Sequence, residues 1–441
     1  MTIVFRIAII FLAINYTSVT AQNLLQFGSV DSLLNFAERN SSTLKNGELQ
    51  SLSAKWTKIA ALGNTVNFKS SINASWTDNI NLPVSYLPAE AFGGPSGAFK
   101  QVSLGQQYVS NYGITPQLDI INPSAWARVK SAEVNKQLTE ASNLVAKRNL
   151  FESIAASYFN ALSMQEQLRI MKQNVNAADS IVKSVKNKFE LGVIREQDLN
   201  NALINYLTVK DKFEQLTLSL NQNLLSMKIL CDISIETEIL LTEVFTSSTP
   251  ASTLKQSSSS LNSRIALLQR DFLKSELKAT RLNSFSPTLS LVFNQTWQRN
   301  SNVGFKDSPY NKFDAQYVGL KFSLPLPFDA NRLSANYTTM INYSIAQINA
   351  NHAQLQNQAS NRQLDLEYQK AFSSFTTFKV ISEIKESNYI KSLNQFNEGI
   401  ISTDVLLTSF MDKINALINY NASLATLKYS EFKIQINNTI Q

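Results

Sequence analysis

The alternation of apolar and polar residues divides the chain into segments of two different periods. From Ser29 to about Gly63 the spacing is helical. It then turns to period two, with Phe68, Ile72, Ala74 and Trp76 on one side and Asn67, Lys69, Ser71, Asn73, Ser75 and Thr77 on the other. After a loop holding Gly93, Gly94, Pro95 and Gly97, a second strand-like stretch runs from about Gln107 to Ile121, with Tyr108, Tyr112, Ile114, Leu118 and Ile120 on its apolar side. The pattern returns further along. Leu289, Leu291, Phe293 and Trp297 oppose Thr288, Ser290, Asn294, Thr296 and Gln298, and Val318, Leu320, Phe322 and Leu324 oppose Tyr317, Gly319, Lys321 and Ser323. One apolar and one wet face predicts strands set between lipid and a water-filled lumen, a crossing that takes about 9 to 11 residues. An ordinary half-buried soluble hairpin would show the same alternation.

The helical segments are far longer than those of a globular domain. Ser124 to Glu190 contains no Gly or Pro, so one uninterrupted helix there would run roughly 100 Å at 1.5 Å per residue. Its distal part has a 3,4 spacing at Leu168, Met171, Val175, Ala178, Val182, Val185 and Phe189, which predicts a coiled-coil seam. Gly192 stands where a left-handed residue ends and reverses a helix. A return helix from about Arg195 to Leu230 answers with Tyr206, Val209, Phe213, Leu216 and Leu220. A second long helix is expected from Asp329 to Glu398, then a turn at Gly399 and a return helix carrying Leu407, Phe410, Ile414, Leu417 and Leu424.

These elements occur twice in the same order. KFELGVI around Gly192 returns as QFNEGII around Gly399, 207 residues on, and INPSAW from Ile121 returns as FDANRL from Phe328 at the same offset. Trp76 and Trp297 pair at an offset of 221, the extra 14 residues falling in a longer loop of the first copy. The expected organisation is therefore an export signal over 1–21, a first structural repeat over 22–231, a connector over 232–260 and a second repeat over 261–441. The signal is read from Arg6, the apolar run Ile7 to Ile14 and Val19-Thr20-Ala21, which place cleavage after Ala21. The connector carries Pro250 and the run Ser257 to Ser260, and Ile233 to Phe245 could add local structure of a kind the residues leave open.

Composition narrows the chemistry. The net charge is +7, but the charges are scattered without a basic cluster interleaved with aromatics, which argues against nucleic acid. The single cysteine, Cys231, cannot form an intramolecular disulfide and reads as a small buried apolar residue. With His352 the only histidine, no His-based metal site or Ser/His/Asp triad can be assembled in one chain. Catalytic, cofactor and metal sites are accordingly expected to be absent. No apolar run after the signal is long enough for a membrane-spanning helix, so any membrane insertion is by strands.

The duplicated tips (Phe189, Gly192, Asp198; Phe396, Gly399, Asp404), the strand start at Pro287, the stretch Val318 to Asp329 and the helix lengths together resemble the TolC family of outer membrane efflux proteins. The resemblance spans essentially the whole mature chain. It implies a mainly α fold with a membrane β-barrel contribution: duplicated long helical hairpins plus four strands per chain, closed as a homotrimer into a twelve-stranded barrel in the outer membrane of a Gram-negative bacterium. The tunnel of helices would reach through the periplasm. The implied function is the passive exit duct of a tripartite efflux or type I secretion system, coupled to a periplasmic adaptor protein and an inner membrane transporter.

The resemblance also assigns sites. Leu191, Gly192, Val193, Glu398, Gly399 and Ile400 would form the adaptor-docking tips; Asp198, Asp404, Phe396, Ile401 and Arg195 the periplasmic entrance; Trp76, Phe293 and Trp297 the aromatics facing outer membrane lipid. Asp198 and Asp404 have a plainer reading too, as carboxylates favoured in the first turn of a helix. In the family's best-known member a Tyr three residues before the second tip glycine and an Arg two after it bond to the Asp six after the first, holding the entrance shut. Asp198 matches, but those positions are Phe396 and Ile401, and one residue fewer separates Gly399 from Asp404. That latch cannot form here, and Arg195 with Glu190 is a candidate replacement. A different function also fits: a secreted, non-transport coiled-coil scaffold whose strand pairs are soluble hairpins, although it would have no reason to expose these aromatics.

Overall fold

The computed structural model describes residues 24–245, 260–303, 311–326 and 329–440. The expected signal over 1–21 and the connector residues 246–259 lie outside the described residues. Eight strands and seven α-helices follow in the order β1 (Leu24–Phe27), α1 (Val30–Asn40), α2 (Ser42–Gly63), β2 (Asn67–Asp78), β3 (Val84–Pro88), β4 (Phe99–Ser103), β5 (Tyr108–Ile121), α3 (Pro123–Glu190), α4 (Glu196–Cys231), β6 (Glu238–Leu241), α5 (Leu261–Phe285), β7 (Thr288–Ser301), β8 (Asn311–Ser323), α6 (Ala330–Asn397) and α7 (Thr403–Thr439). Both ends of α6 lie 207 residues after those of α3, and each helix has 68 residues. Past Pro123, which is tolerated at the first position of α3, neither run holds a Gly or Pro to interrupt the backbone ladder.

The described residues within 24–50, 140–265 and 352–440 form one compact unit and those within 51–139 and 266–351 another. The second unit holds an antiparallel sheet in the order β2-β5-β7-β8. Register places Ala74, Tyr112 and Trp297 on one face, with Ile72 opposite Ile114, Phe68 opposite Leu118, and Phe293 opposite Val318. The other face is mainly polar, carrying Asn73, Asn111, Thr115, Asn294 and Gln298 among others. Both edge strands, β2 and β8, pair on one side only. Between β2 and β5 the loop forms its own hairpin, β3 with β4, closed by a short 3₁₀ turn in which Gly97 N–H donates to Glu90 Oε1 at 2.7 Å.

In the first unit, β1 and β6 form a parallel pair, giving the start of the connector the structure its residues left open. Phe27 and Leu241 from that pair join Leu33, Ile154, Tyr158, Met227, Cys231 and Phe432 in a core shared by α1, α3, α4 and α7. Tyr158 is fully buried, but its hydroxyl donates a hydrogen bond to Glu243 Oε2 at 2.6 Å, just after β6. Cys231 is buried, and burial followed by the neighbouring Asp232 pushes its thiol up to about 12, so it behaves as an apolar side chain.

The single helix expected from Ser29 to Gly63 is two. Ser29 and Ser32 form a reciprocal cap that starts α1, and the chain turns extended at Ser41 (φ −61°, ψ 127°). The carboxylate of Asp232 then takes the Ser42 N–H. A side-chain partner 190 residues further along the chain thus starts α2 where no Gly or Pro marks a break.

Candidate functional site

The two hairpin tips are built alike from the backbone upward. At the end of α3, Gly192 N–H donates to the Phe189 carbonyl at 2.8 Å and Val193 N–H to that of Lys188 at 2.9 Å, with Gly192 at φ 72°. At the end of α6, Gly399 donates to Phe396 at 3.1 Å and Ile400 to Gln395 at 2.8 Å, with Gly399 at φ 77°. This doubled bond pattern satisfies the last carbonyls of a helix and needs a left-handed residue. A Cβ at either glycine would meet nothing within 4 Å, so backbone conformation and not space requires glycine. The turns leave apolar side chains in the open: Leu191 is 78% exposed, Val193 68% and Ile400 65%. Glu398 is exposed beside them.

The one-residue difference between the tips separates the two aspartates. Asp198 is the third residue of α4, where its carboxylate reaches back to accept the Arg195 N–H at 3.1 Å, and it is buried. Arg195 Nε lies 3.5 Å from the same carboxylate, whereas Glu190 sits 3.9 Å from Lys186; Arg195 thus reaches Asp198 and not Glu190. Asp404 is the second residue of α7, exposed, and accepts from Asn201 Nδ2 on α4 at 3.0 Å. Asp198 therefore caps its own helix, and Asp404 ties one hairpin to the other.

Phe396 is 3% exposed, and Ile401 packs, partly buried, against the same core. That core takes Met171, Ala178, Ile181 and Val185 from α3, Ala202 and Val209 from α4, Tyr389 from α6, and Leu406, Phe410 and Ile414 from α7. Two departures from the expected seam appear. Phe189 is exposed, and Val182 is only partly buried while Ile181 beside it is 4% exposed. Four helices meet here, and the buried stripe is wider than the narrow seam of a two-helix coil.

Over Phe396 lies Lys188, unnoticed in the sequence. Its Nζ is 3.8 Å from the ring centroid and donates to the Phe396 carbonyl at 2.7 Å. A cation suits the last turn of a helix, so Lys188 at the end of α3 had a recognisable local role, but its partner 208 residues away did not. Lower down, Lys212 Nζ donates to Asn415 Oδ1 at 3.3 Å, again between α4 and α7.

On the sheet, Trp76 is 62% exposed and Trp297 39%, while Phe293 is half-buried; all three lie on the apolar face. Trp76 stacks on Tyr108 with centroids 6.2 Å apart. Among the described residues no group of three His, Cys, Asp or Glu side chains is placed to hold a metal ion.

A two-faced four-stranded sheet and two 68-residue helices that reverse at glycine tips are the architecture to compare with known folds. The model of the outer membrane efflux protein family matches residues 60–230, and the fold is TolC-like. Its fold is similar to that of the outer membrane protein VceC of Vibrio cholerae, at 14% identity and TM-score 0.71, covering 93% of this chain and 96% of that one. It is similar also to the CmeC outer membrane channel of Campylobacter jejuni, at 17% identity and TM-score 0.69, covering 93% and 85% of the two chains. The open state of the MtrE outer membrane channel of Neisseria gonorrhoeae matches at 12% identity and TM-score 0.70, covering 96% and 94%. No curated protein matches the sequence. The family match and the fold together support an outer membrane efflux duct with a periplasmic helical extension.

Proposed function

We propose that three copies of this chain close one twelve-stranded barrel, and that the duct is a passive conduit served by a periplasmic adaptor protein and an inner membrane transporter. The observation that carries the reading is the four-stranded sheet with one apolar face, one polar face and two unpaired edges. Four strands cannot close around water, since about eight is the minimum, and open edges in lipid would leave backbone groups unsatisfied. Copies joined edge to edge, β8 to β2, remove both problems. Exposed apolar residues on α6, including Ile341, Ile345 and Ile348, give neighbouring copies a surface to cover. The halves 22–231 and 261–441 act as two structural repeats joined by the connector 232–260.

The tips Leu191, Gly192, Val193, Glu398, Gly399 and Ile400 dock the adaptor through the apolar side chains they expose. Trp76, Phe293 and Trp297 meet lipid. Phe396 and Ile401 hold the entrance by packing, Arg195 and Asp198 stiffen the first tip, and Asp404 lines the opening. Fractionation of cells into outer membrane and soluble periplasm, followed by the mass of the detergent-extracted particle, tests the assembly. A membrane trimer that conducts in planar bilayers and crosslinks to its adaptor from cysteines at 191 or 400 is the expected result. A soluble, non-conducting particle would favour the secreted scaffold.

A further inference from the structure

The polar face of the sheet concentrates its charge at one end. Along that face the charged strand residues are Lys69, Asp119 and Lys321. Asn67, Asp119, Ser290 and Lys321 form one row across the four strands, and Lys69 stands in the next row, opposite Gln117. This is the end at which the strands join helices, since β2 follows α2 and β5 leads into α3.

The three charges do not cancel. Asp119 is 5% exposed and its oxygens are fully engaged: Oδ1 accepts from Gln117 Nε2 at 2.8 Å and from Ser290 Oγ at 2.7 Å, and Oδ2 from Lys69 Nζ at 3.1 Å. Gln117 Nε2 also reaches Ser290 Oγ at 3.1 Å, which ties β5 to β7. Asp119 is therefore spent on Lys69. Lys321 is exposed and lies two strands away from Asp119, roughly 10 Å at about 4.8 Å per strand, beyond salt-bridge reach. Among the described strand residues, each chain thus presents one unbalanced cation on the wet face.

We infer that Lys321, repeated around the closed barrel, forms a cationic ring at the helix-side end of the lumen that binds anionic solute groups, carboxylates and phosphates, as they pass. The inference rests on the barrel reading above. A ring of like charge in a water-filled bore with low-dielectric walls focuses its field on the axis, where it raises the local concentration of counter-ions. The paired Lys69 adds nothing to the ring while Asp119 holds it. Asp119 thereby sets how many cations the ring shows.

The test uses the purified full-length trimer in planar bilayers, with citrate as the probe anion added to the side where the strand loops open. Reversal potential in a potassium chloride gradient is measured in parallel. Lys321→Gln is expected to raise the half-blocking citrate concentration by about tenfold and to move the reversal potential towards cation preference, while Lys321→Arg leaves both unchanged. Asp119→Asn should act in the opposite direction by releasing Lys69, and trimer yield reports whether that buried change disturbs folding. Conducting trimers of Lys321→Gln with unaltered citrate block and reversal potential would overturn the ring alone. Failure of the wild-type protein to conduct at all would overturn the duct reading, and the ring with it.

Discussion

Removing the Lys188 ammonium should make the two hairpins of a chain separate more readily. Its Nζ is bound twice to Phe396, by the ring face at 3.8 Å and by the carbonyl at 2.7 Å, and both bonds join α3 to α6. A cation over an aromatic contributes about 0.5–2 kcal/mol depending on desolvation, and a hydrogen bond from a charged donor about 1.5–3 kcal/mol. Lys188 is half-buried, so about 2 kcal/mol, the low end of the summed ranges, is taken for losing both. Lys188→Met keeps the stem that packs along the tip and removes only the charge. At 1.4 kcal/mol per factor of ten, any opening that parts the hairpins should then be favoured about 30-fold per chain. Open probability in planar bilayers measures this directly. A cycle with Phe396→Leu separates ring from carbonyl, because the leucine variant keeps the carbonyl; a coupling energy of about 1 kcal/mol is expected for the ring. If intact Lys188→Met trimers open no more often than wild type, and the cycle is additive, the bridge does not restrain the tips.

Val185 is fully buried among four helices, so Val185→Asp should cost several kcal/mol and expose the tip end to limited proteolysis while the strands remain in the membrane; unchanged protease resistance would place that core elsewhere. Gly192→Ala and Gly399→Ala should each cost about 1–2 kcal/mol through backbone strain alone, since the added methyl meets nothing, and a thermal melt that does not move would contradict the left-handed assignment. Burial raises the carboxyl of Glu152 above its usual 4.5, with Arg148 and Lys433 pulling the other way. A raised folded value means stability is fully present below the unfolded value and is lost as pH rises through the folded one, so Glu152→Gln should flatten the decline in melting temperature above pH 4.5. A decline of the same size in the variant would exclude Glu152 as its source.

What the sequence showed well were the features written over many residues. The long helices end within one residue of their expected bounds because a long run without Gly or Pro stops at a glycine turn twice, and the strand faces follow from a sustained alternation. Features of four or five residues were lost. LLQF and EILL give too few positions for a period, and they pair only because the fold brings them together across the chain. The β3–β4 hairpin lay hidden in a loop judged by its glycines. At the tips the replacement of a polar latch was legible at Phe396 and Ile401, but its substitute was not. Lys188 sits in an ordinary helical position, and only the packing of α3 against α6 puts a ring beneath it.

The parallel pairing of β1 with β6 sets an order on how the chain can mature during export. Leu24 meets Glu238, a separation of 214 residues (238 minus 24). Bringing such ends together costs roughly 5 kcal/mol in chain entropy, on the logarithmic dependence of loop closure, more than four paired residues recover unaided. The packing of α3 against α4 shortens that path, and Phe27 and Leu241 are buried in the core those helices share. Residues 24–27 thus depend for their strand partner on residues more than two hundred positions further on, and until Leu241 is in place their backbone groups stay open to other partners.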